Sequence, residues 1–154
     1  GVFLTVLGFG MGNYKDSKME ILADFKIFRV AEMYMIKAEA QIAQNNLSGA
    51  AETLKAVRDA RHTTVQPLPN YGSQQAAYQD LLLERRKEFC FEAMRYIDIK
   101  RLGQVANVTF DRFFRDCAIN NSCTPPAPGD HRFTMPIPNS ERNANPNVVQ
   151  NPNY

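Results

Sequence analysis

Apolar residues recur at steps of three and four along residues 28 to 44, and this spacing predicts a helix. Two stripes can be traced. One consists of Phe28, Ala31, Met35, Ala38 and Ile42, and the other of Met33, Ile36, Ala40 and Ala43. A helix with apolar residues on two faces is expected to be covered on both. Asn45 and Asn46 tolerate the left-handed conformation of a C-cap, so we expect the helix to end there.

The following residues predict a second helix that packs against the first. Ser48 is a suitable N-cap for a helix over roughly residues 49 to 61, whose inward positions are Ala50, Leu54 and Val57. Because the link between the two helices is short, we expect an antiparallel helical hairpin.

The longest predicted helix extends from residue 74 to residue 102. Ser73 is its expected N-cap and Gly103 its stop signal. Its apolar positions fall on two stripes, Leu82, Phe89, Ala93 and Tyr96 beside Leu83, Cys90, Met94 and Ile97. We therefore expect this helix to be buried on more than one side.

Residues 120 to 154 contain seven of the nine prolines and eight asparagines, a density that excludes long helices and central strands. Apolar residues are interleaved with them, namely Phe133, Met135, Ile137, Val148 and Val149. This content predicts an ordered tail that packs along the helices. The predicted fold class is mainly α, with a helical hairpin and a long helix wrapped by an irregular Pro/Asn-rich C-terminal tail.

Charge and cysteine content exclude several kinds of partner. Lys and Arg number 18 against 16 Asp and Glu, and the resulting net charge of +2 is too small to indicate nucleic acid. The three cysteines form no CxxC pair, and only His62 and His131 accompany them, so no zinc site is indicated. Gly8, Gly10 and Gly12 have a GxGxG spacing that matches neither nucleotide-binding motif. We expect no metal and no cofactor.

Glu84, Glu88 and Glu92 lie at steps of four on the predicted long helix. A carboxylate-based hydrolase or metal site is one interpretation. Di-metal helical bundles add Glu-x-x-His motifs, however, and no histidine lies on these helices. We interpret the ladder as structural ion pairs. The expected pairs are Glu84 with Lys87, Glu88 with Arg85, and Glu92 with Arg95 or with a neighbouring helix.

The first residues of the chain hold the candidate binding site. Asn13, Tyr14, Lys15 and Asp16 combine a stacking ring with hydrogen-bond donors and acceptors, the mixture that a sugar ring requires. An ordinary polar turn is the alternative. The apolar run at residues 1 to 12 has no basic residue before it and does not read as a secretory signal. We therefore expect a fragment whose targeting signal lies upstream.

Three blocks of sequence follow one another in a specific order. They are RVAEMYMIKAEA followed by VRDAR, then ERRKEFCFEAMRYIDIKR, and finally PIP followed at the end by QNPNY. Together they resemble the carboxy-terminal part of the SusD/RagB family of outer-membrane glycan-binding lipoproteins, over roughly residues 24 to 154. The first block also has a tetratricopeptide-like arrangement, with Ala38 and Ala50 as the small residues where the helices cross.

The resemblance implies a surface-exposed bacterial protein that is tethered to the outer membrane by an amino-terminal lipid. Such proteins bind oligosaccharides or other nutrients without catalysis and pass them to a TonB-dependent, SusC-like transporter. The earlier helical repeats of a typical member are not in this sequence, so the missing N-terminal part of the same protein is an expected partner. Trp, a common sugar-stacking residue, is also absent from the chain. A tetratricopeptide-like scaffold that binds other proteins is the alternative function.

The same resemblance bears on the cysteines, because an exported protein folds under oxidising conditions. Cys117 and Cys123 are separated by five residues and can meet, so we expect a disulfide between them. Two free thiols are the alternative. Cys90 falls on an apolar helical stripe and is expected to remain a buried free thiol.

Overall fold

A computed structural model describes residues 29–111, 113–120 and 123–154. Its longer helices are α1 (Val30–Ala43), α2 (Leu47–Arg61), α3 (Gln74–Glu88) and α4 (Met94–Ala106). The short ones are α5 (Phe114–Cys117), two 3₁₀ turns (Ala118–Asn120 and His131–Phe133) and α6 (Asn139–Ala144). No strand occurs within these ranges, and the predicted mainly α class is confirmed.

Helices α1 and α2 form the predicted hairpin, with a tighter turn than expected. Asn45 ends α1 in the left-handed conformation, with φ of 59°. Asn46 already serves the next helix, because its side chain accepts a hydrogen bond of 3.0 Å from the Gly49 N–H. The prediction that Ser48 caps α2 is therefore wrong, since an asparagine two residues earlier fills that role equally well.

One apolar core joins the four longer helices. Its buried members are Met35, Ala38, Ile42, Ala50, Leu54, Val57, Ala77, Leu81, Leu82, Phe89, Leu102 and Ala106. Met35, Ala38 and Ile42 of the first predicted stripe of α1 and the three inward positions of α2 belong to this core. Ala31 of the same stripe is buried but lies outside the cluster, and Phe28 lies outside the described residues. The second stripe of α1 does not belong to the core, because Met33 and Ile36 are each 49% exposed.

The predicted long helix is interrupted in its middle. Helix α3 ends at Glu88 and α4 starts at Met94, and between them Phe91 and Ala93 have φ of 66° and 59°. Arg85 and Asp98 would lie roughly 20 Å apart along a continuous helix. Instead, the Arg85 Nε donates a 2.8 Å hydrogen bond to Asp98. Helix α4 therefore folds back beside α3, and the prediction of a single helix is wrong.

The reversal changes which side chains are buried and where the second half ends. Leu83 is 48% exposed and Ile97 50%, although both were predicted on a buried stripe. Gly103, the expected stop signal, lies inside α4, where an added Cβ would come within 2.7 Å of the Val108 carbonyl oxygen. The helix continues to Ala106, and Asn107 caps it in the left-handed conformation.

The Pro/Asn-rich tail contacts α4 through an aromatic cluster. The rings of Tyr96, Phe110 and Phe133 have centroids 5.8 to 6.3 Å apart, and the Tyr96 hydroxyl donates to the Phe133 carbonyl over 2.7 Å. Phe133 is buried as predicted, whereas Met135 is 76% exposed. The end of the chain is held by Gln150, whose side chain bonds both the N–H and the carbonyl of Ile137.

The predicted disulfide between Cys117 and Cys123 is present, and Cys90 is free. Cys90 is half-buried, which is less than its position on an apolar stripe predicted. The reason is the interruption of the long helix, which places Cys90 in the exposed turn between α3 and α4.

Candidate functional site

The predicted ligand-binding residues Asn13, Tyr14, Lys15 and Asp16 lie outside the residues that the structure describes. The glycine-rich run at residues 8 to 12 lies outside them as well. These assignments therefore stay predictions.

The three glutamates of the ladder are all held in ion pairs. Glu84 accepts from the Arg58 Nε over 2.8 Å and lies 3.4 Å from the Lys87 ammonium, so its expected pairing with Lys87 is confirmed. Glu88 binds the Arg61 guanidinium through both of its oxygens. The predicted pairing of Glu88 with Arg85 is therefore wrong.

Glu92 completes the ladder by pairing with Arg29, the N-cap residue of α1. This contact agrees with the predicted alternative of a partner on a neighbouring helix. Since Glu84 and Glu88 are only 6% exposed, the ladder holds helices together and does not line an open cleft.

Arg58 is the centre of a polar cluster that joins α2, α3 and the loop before α3. Its guanidinium donates to Asp80 over 2.7 Å as well as to Glu84. Burial lowers the pKa of Arg58, but the hydrogen bonds to the two carboxylates and their negative charges together outweigh burial, so the pKa is raised. The Tyr71 hydroxyl donates to Asp80 over 2.6 Å, and burial followed by this bond raises the pKa of Tyr71. The cluster therefore holds α2, α3 and the loop before α3 together.

A second pair, more deeply buried, joins α3 to α4. The side chains of Arg85 and Asp98 are 4% and 3% exposed, and Oδ2 of Asp98 accepts the Arg85 hydrogen bond. The other oxygen, Oδ1, has no hydrogen-bond partner among the residues that the structure describes, and the Arg101 guanidinium lies 3.7 Å from it. The guanidinium carbons of Arg29 and Arg85 lie 5.6 and 5.0 Å from the centroid of the Phe89 ring, within the range of a cation–π interaction.

A groove of about 470 Å³ lies above this pair, and we call it the α1/α4 groove. Helices α1 and α4 contribute its walls, and Tyr78 and Arg85 of α3 contribute its floor. Its apolar lining residues are Ile36, Ala40, Ala43, Met94 and Ile97. Its charged lining residues are Glu32, Glu39, Asp98, Arg85 and Arg101.

One bidentate ion pair crosses this groove. The Arg101 guanidinium donates to both oxygens of Glu39, over 2.7 and 3.0 Å. These bonds raise the pKa of Arg101. Because two of the three carboxylates are engaged by arginines, the groove offers an apolar surface with charged edges and no free acid/base pair.

The groove depends on residues that sequence reasoning did not select. Asp98 stands in the sequence YIDIK, between two isoleucines, and this apolar flanking is the only local signal of its burial. Glu39 and Arg101 are 62 residues apart, so their pairing follows only from the way in which α4 folds back.

Among the described residues, no group of His, Cys, Asp and Glu side chains is arranged to hold a metal ion. None of the helices in the same ranges is both long and apolar enough to cross a membrane.

Comparison with known proteins gives one family and one curated relative. The model of the SusD family matches residues 10–154. SusD-like protein P25 of Formosa agariphila is 25% identical over 139 residues, which are 90% of this chain and 24% of that protein. The chain therefore spans about a quarter of the length of this relative. No solved structure matches the chain.

Proposed function

Because the chain belongs to the SusD family, we propose that it binds glycans or other nutrients at the bacterial outer surface and hands them to a TonB-dependent transporter. The observation that carries this proposal is the family match over residues 10–154. The protein carrying the chain would be a surface lipoprotein of the outer membrane, and the missing N-terminal part of the same protein would be a further partner.

The proposed binding residues are Asn13, Tyr14, Lys15 and Asp16, all of which fall inside the matched range. An aromatic ring covers the apolar face of a sugar, and the amide, ammonium and carboxylate groups can bond its hydroxyls. Binding without catalysis agrees with the ladder, because the ion-paired Glu84, Glu88 and Glu92 do not supply a free general acid or base.

Calorimetric titration with a panel of defined oligosaccharides tests the proposal. The 154-residue chain is expected to bind weakly or not at all, and the full-length gene product to bind one class. Tyr14→Ala in the full-length protein should weaken that binding at least about tenfold, which corresponds to roughly 1.4 kcal/mol. The matched control is Tyr34→Ala, at a tyrosine of α1 that is 41% exposed, and it should leave affinity unchanged.

Two results would contradict the proposal. Micromolar binding by the 154-residue chain that Tyr14→Ala does not weaken would exclude both the proposed binding residues 13 to 16 and the need for further chain. Release of sugar products that depends on Glu88 or Glu92 would indicate an enzyme.

The groove favours a second candidate, a protein-interaction scaffold. Helical hairpins of the tetratricopeptide type bind peptides in apolar grooves, and the α1/α4 groove has half-exposed Ile36 and Ile97 on its two walls. The two functions are distinguished with the tagged full-length protein and its Ile36→Glu variant. If both retain the TonB-dependent transporter and the oligosaccharide, the nutrient-binding function is favoured over the scaffold.

A further inference from the structure

One arginine at the start of α4 has no carboxylate partner of its own among the described residues. Arg95 is half-buried, and its one hydrogen bond within that part of the chain goes from Nη1 to the Leu82 carbonyl of α3, over 3.3 Å. Glu92, an acid that the sequence placed beside it, is bound by Arg29 instead. Because a guanidinium has five N–H donors, most of the hydrogen-bonding capacity of Arg95 is unused.

A second arginine lies next to Arg95. Arg86 follows Leu82 by one turn of α3, about 6 Å along the helix, so it lies near the guanidinium that contacts the Leu82 carbonyl. Burial, and then the positive charge of Arg86, lower the pKa of Arg95. Two positive charges at this separation repel each other, and an anion bound between them would remove the repulsion.

The acidic groups around these two arginines do not neutralise both. Asp111 pairs with Arg86, but the two side chains are 65% and 48% exposed, and an ion pair of this kind contributes little because water hydrates both partners. The charge of Asp98 also reaches Arg95, but Asp98 is bound to Arg85. The cluster therefore has an excess positive charge, and an oxyanion from a ligand can replace Asp111 at small cost.

An aromatic surface borders this cluster. The ring of Phe110, which precedes Asp111, stacks on Tyr96, which follows Arg95, with the ring centroids 6.2 Å apart. Tyr96 is 39% exposed. A sugar that bears a carboxylate or a sulfate can use both features, because an aromatic ring covers its apolar face and guanidiniums bind its charged oxygens.

We propose that Arg86 and Arg95 bind the carboxylate or sulfate group of an acidic saccharide, whose sugar ring lies against Tyr96. This assignment rests on the nutrient-binding function proposed above and narrows the nutrient to acidic glycans. Arginine suits such a group, because its planar donors bind two oxygens at once. Asp111 competes with the ligand for Arg86 and so limits the affinity.

NMR titration of the 154-residue chain tests the site, with the Nε–H signals of the arginine side chains as the readout. The probes are glucuronate and glucose 6-sulfate, the controls are glucose and inorganic sulfate, and ionic strength is kept constant. Both acidic sugars should shift the signals of Arg86 and Arg95 with a Kd at least about tenfold lower than that of glucose. Inorganic sulfate should bind more weakly than glucose 6-sulfate, because it has no ring to place against Tyr96.

Two variants should change the affinity for glucuronate in opposite directions. Arg95→Gln should weaken binding at least about fivefold, because it removes the guanidinium that has no carboxylate partner. Asp111→Asn should strengthen binding about threefold, because the competing carboxylate is gone, and misfolding does not produce a gain of affinity. The matched control is Arg142→Gln, which removes the same charge at an exposed position of α6 and should leave the affinity unchanged.

Four results would overturn the proposal. They are equal binding of glucose and glucuronate, equal binding of inorganic sulfate and glucose 6-sulfate, an Asp111→Asn variant that binds glucuronate no better, and an equal loss of affinity in Arg142→Gln and Arg95→Gln. If the chain binds no acidic sugar while the full-length protein binds neutral oligosaccharides, the acidic-saccharide site is wrong and the nutrient-binding function stands. A full-length protein that binds no saccharide, neutral or acidic, would contradict both.

Discussion

At the scale of single residues, the turn between α3 and α4 concentrates backbone strain. Phe91 and Ala93 both have positive φ, and neither is glycine. The left-handed conformation costs an L-residue about 1 to 2 kcal/mol, and only glycine adopts it freely. Phe91 is also 91% exposed, so burial of its side chain does not offset this cost.

Ala93→Gly is expected to stabilise the protein. Removing the Cβ relieves the strain, and the greater freedom of glycine in the unfolded chain cancels about 0.4 to 1 kcal/mol of that gain. The expected net gain is about 0.5 to 1 kcal/mol in the free energy of unfolding, measured by urea denaturation. The matched control is Ala56→Gly at an exposed position inside α2, which should cost about 1 kcal/mol. A loss of stability in Ala93→Gly would contradict the assigned conformation.

Tyr71 makes stability depend on alkaline pH. Burial and then the bond to Asp80 raise the pKa of Tyr71 in the folded protein above that of an unfolded tyrosine, which is about 10. At a pH between the pKa of the unfolded tyrosine and the higher pKa of folded Tyr71, the unfolded chain has lost the tyrosine proton and the folded chain has kept it. The free energy of unfolding therefore falls as pH rises through about 10. Urea midpoints between pH 8 and 11 should decline less steeply in Tyr71→Phe. The exposed Tyr34→Phe should leave the decline unchanged, and an equal decline in both variants would disprove the role of Tyr71.

At the scale of elements, arginine and carboxylate pairs fix how the helices lie against one another. Arg58 and Arg61 of α2 bind carboxylates of α3, and Arg85 of α3 binds Asp98 of α4. These pairs differ in burial. Arg61 is 40% exposed, whereas Arg85 is 4% exposed, so loss of the carboxylate partner leaves Arg85 in a far less hydrated position.

Asp98→Ala is expected to cost about 3 to 5 kcal/mol in the free energy of unfolding, because it leaves the buried Arg85 charge uncompensated. Glu39→Ala removes a carboxylate from the bidentate pair with Arg101, which is 44% exposed, and should cost at most about 1 kcal/mol. Chemical denaturation of the two variants measures the contrast. Similar small losses in both would show that the Arg85–Asp98 pair is not needed to hold α4 against α3.

At the scale of the whole molecule, an irregular tail is attached to a helical core by a few specific contacts. The aromatic cluster of Tyr96, Phe110 and Phe133 joins the tail to α4, and the disulfide between Cys117 and Cys123 closes the loop that precedes the tail. The tail contributes little apolar burial of its own, since Met135 and Val149 are largely exposed.

Reduction of the disulfide should lower the free energy of unfolding by roughly 2 kcal/mol, as chain entropy predicts for so short a loop. Thiol titration in denaturant without reductant should find one reactive thiol per chain, that of Cys90, and three after reduction. The variant Cys90→Ala should then titrate as zero and two. Three thiols before reduction would show that the bridge does not form.

Local patterns were sufficient for much of the fold. The hairpin, the inner stripe of α1 and the inward positions of α2 follow from helical periodicity, and Ser73 caps α3 as expected, accepting from the Ala76 N–H over 3.1 Å. The interruption after Glu88 was not predictable in this way, because FCFEA contains neither glycine nor proline. The candidate binding residues at 13 to 16 stay predictions.

By itself the sequence determined the helical class, the family and the pairing of two cysteines, because periodicity, ordered motifs and short loop closure are local properties. Only the tertiary structure decided that α4 returns along α3. That return exposes Ile97, buries Asp98 against Arg85 and brings Arg101 to Glu39. The physical reason is that packing between residues distant in sequence outweighs the left-handed strain at Phe91 and Ala93. A local sequence pattern cannot show which of these two energies is larger.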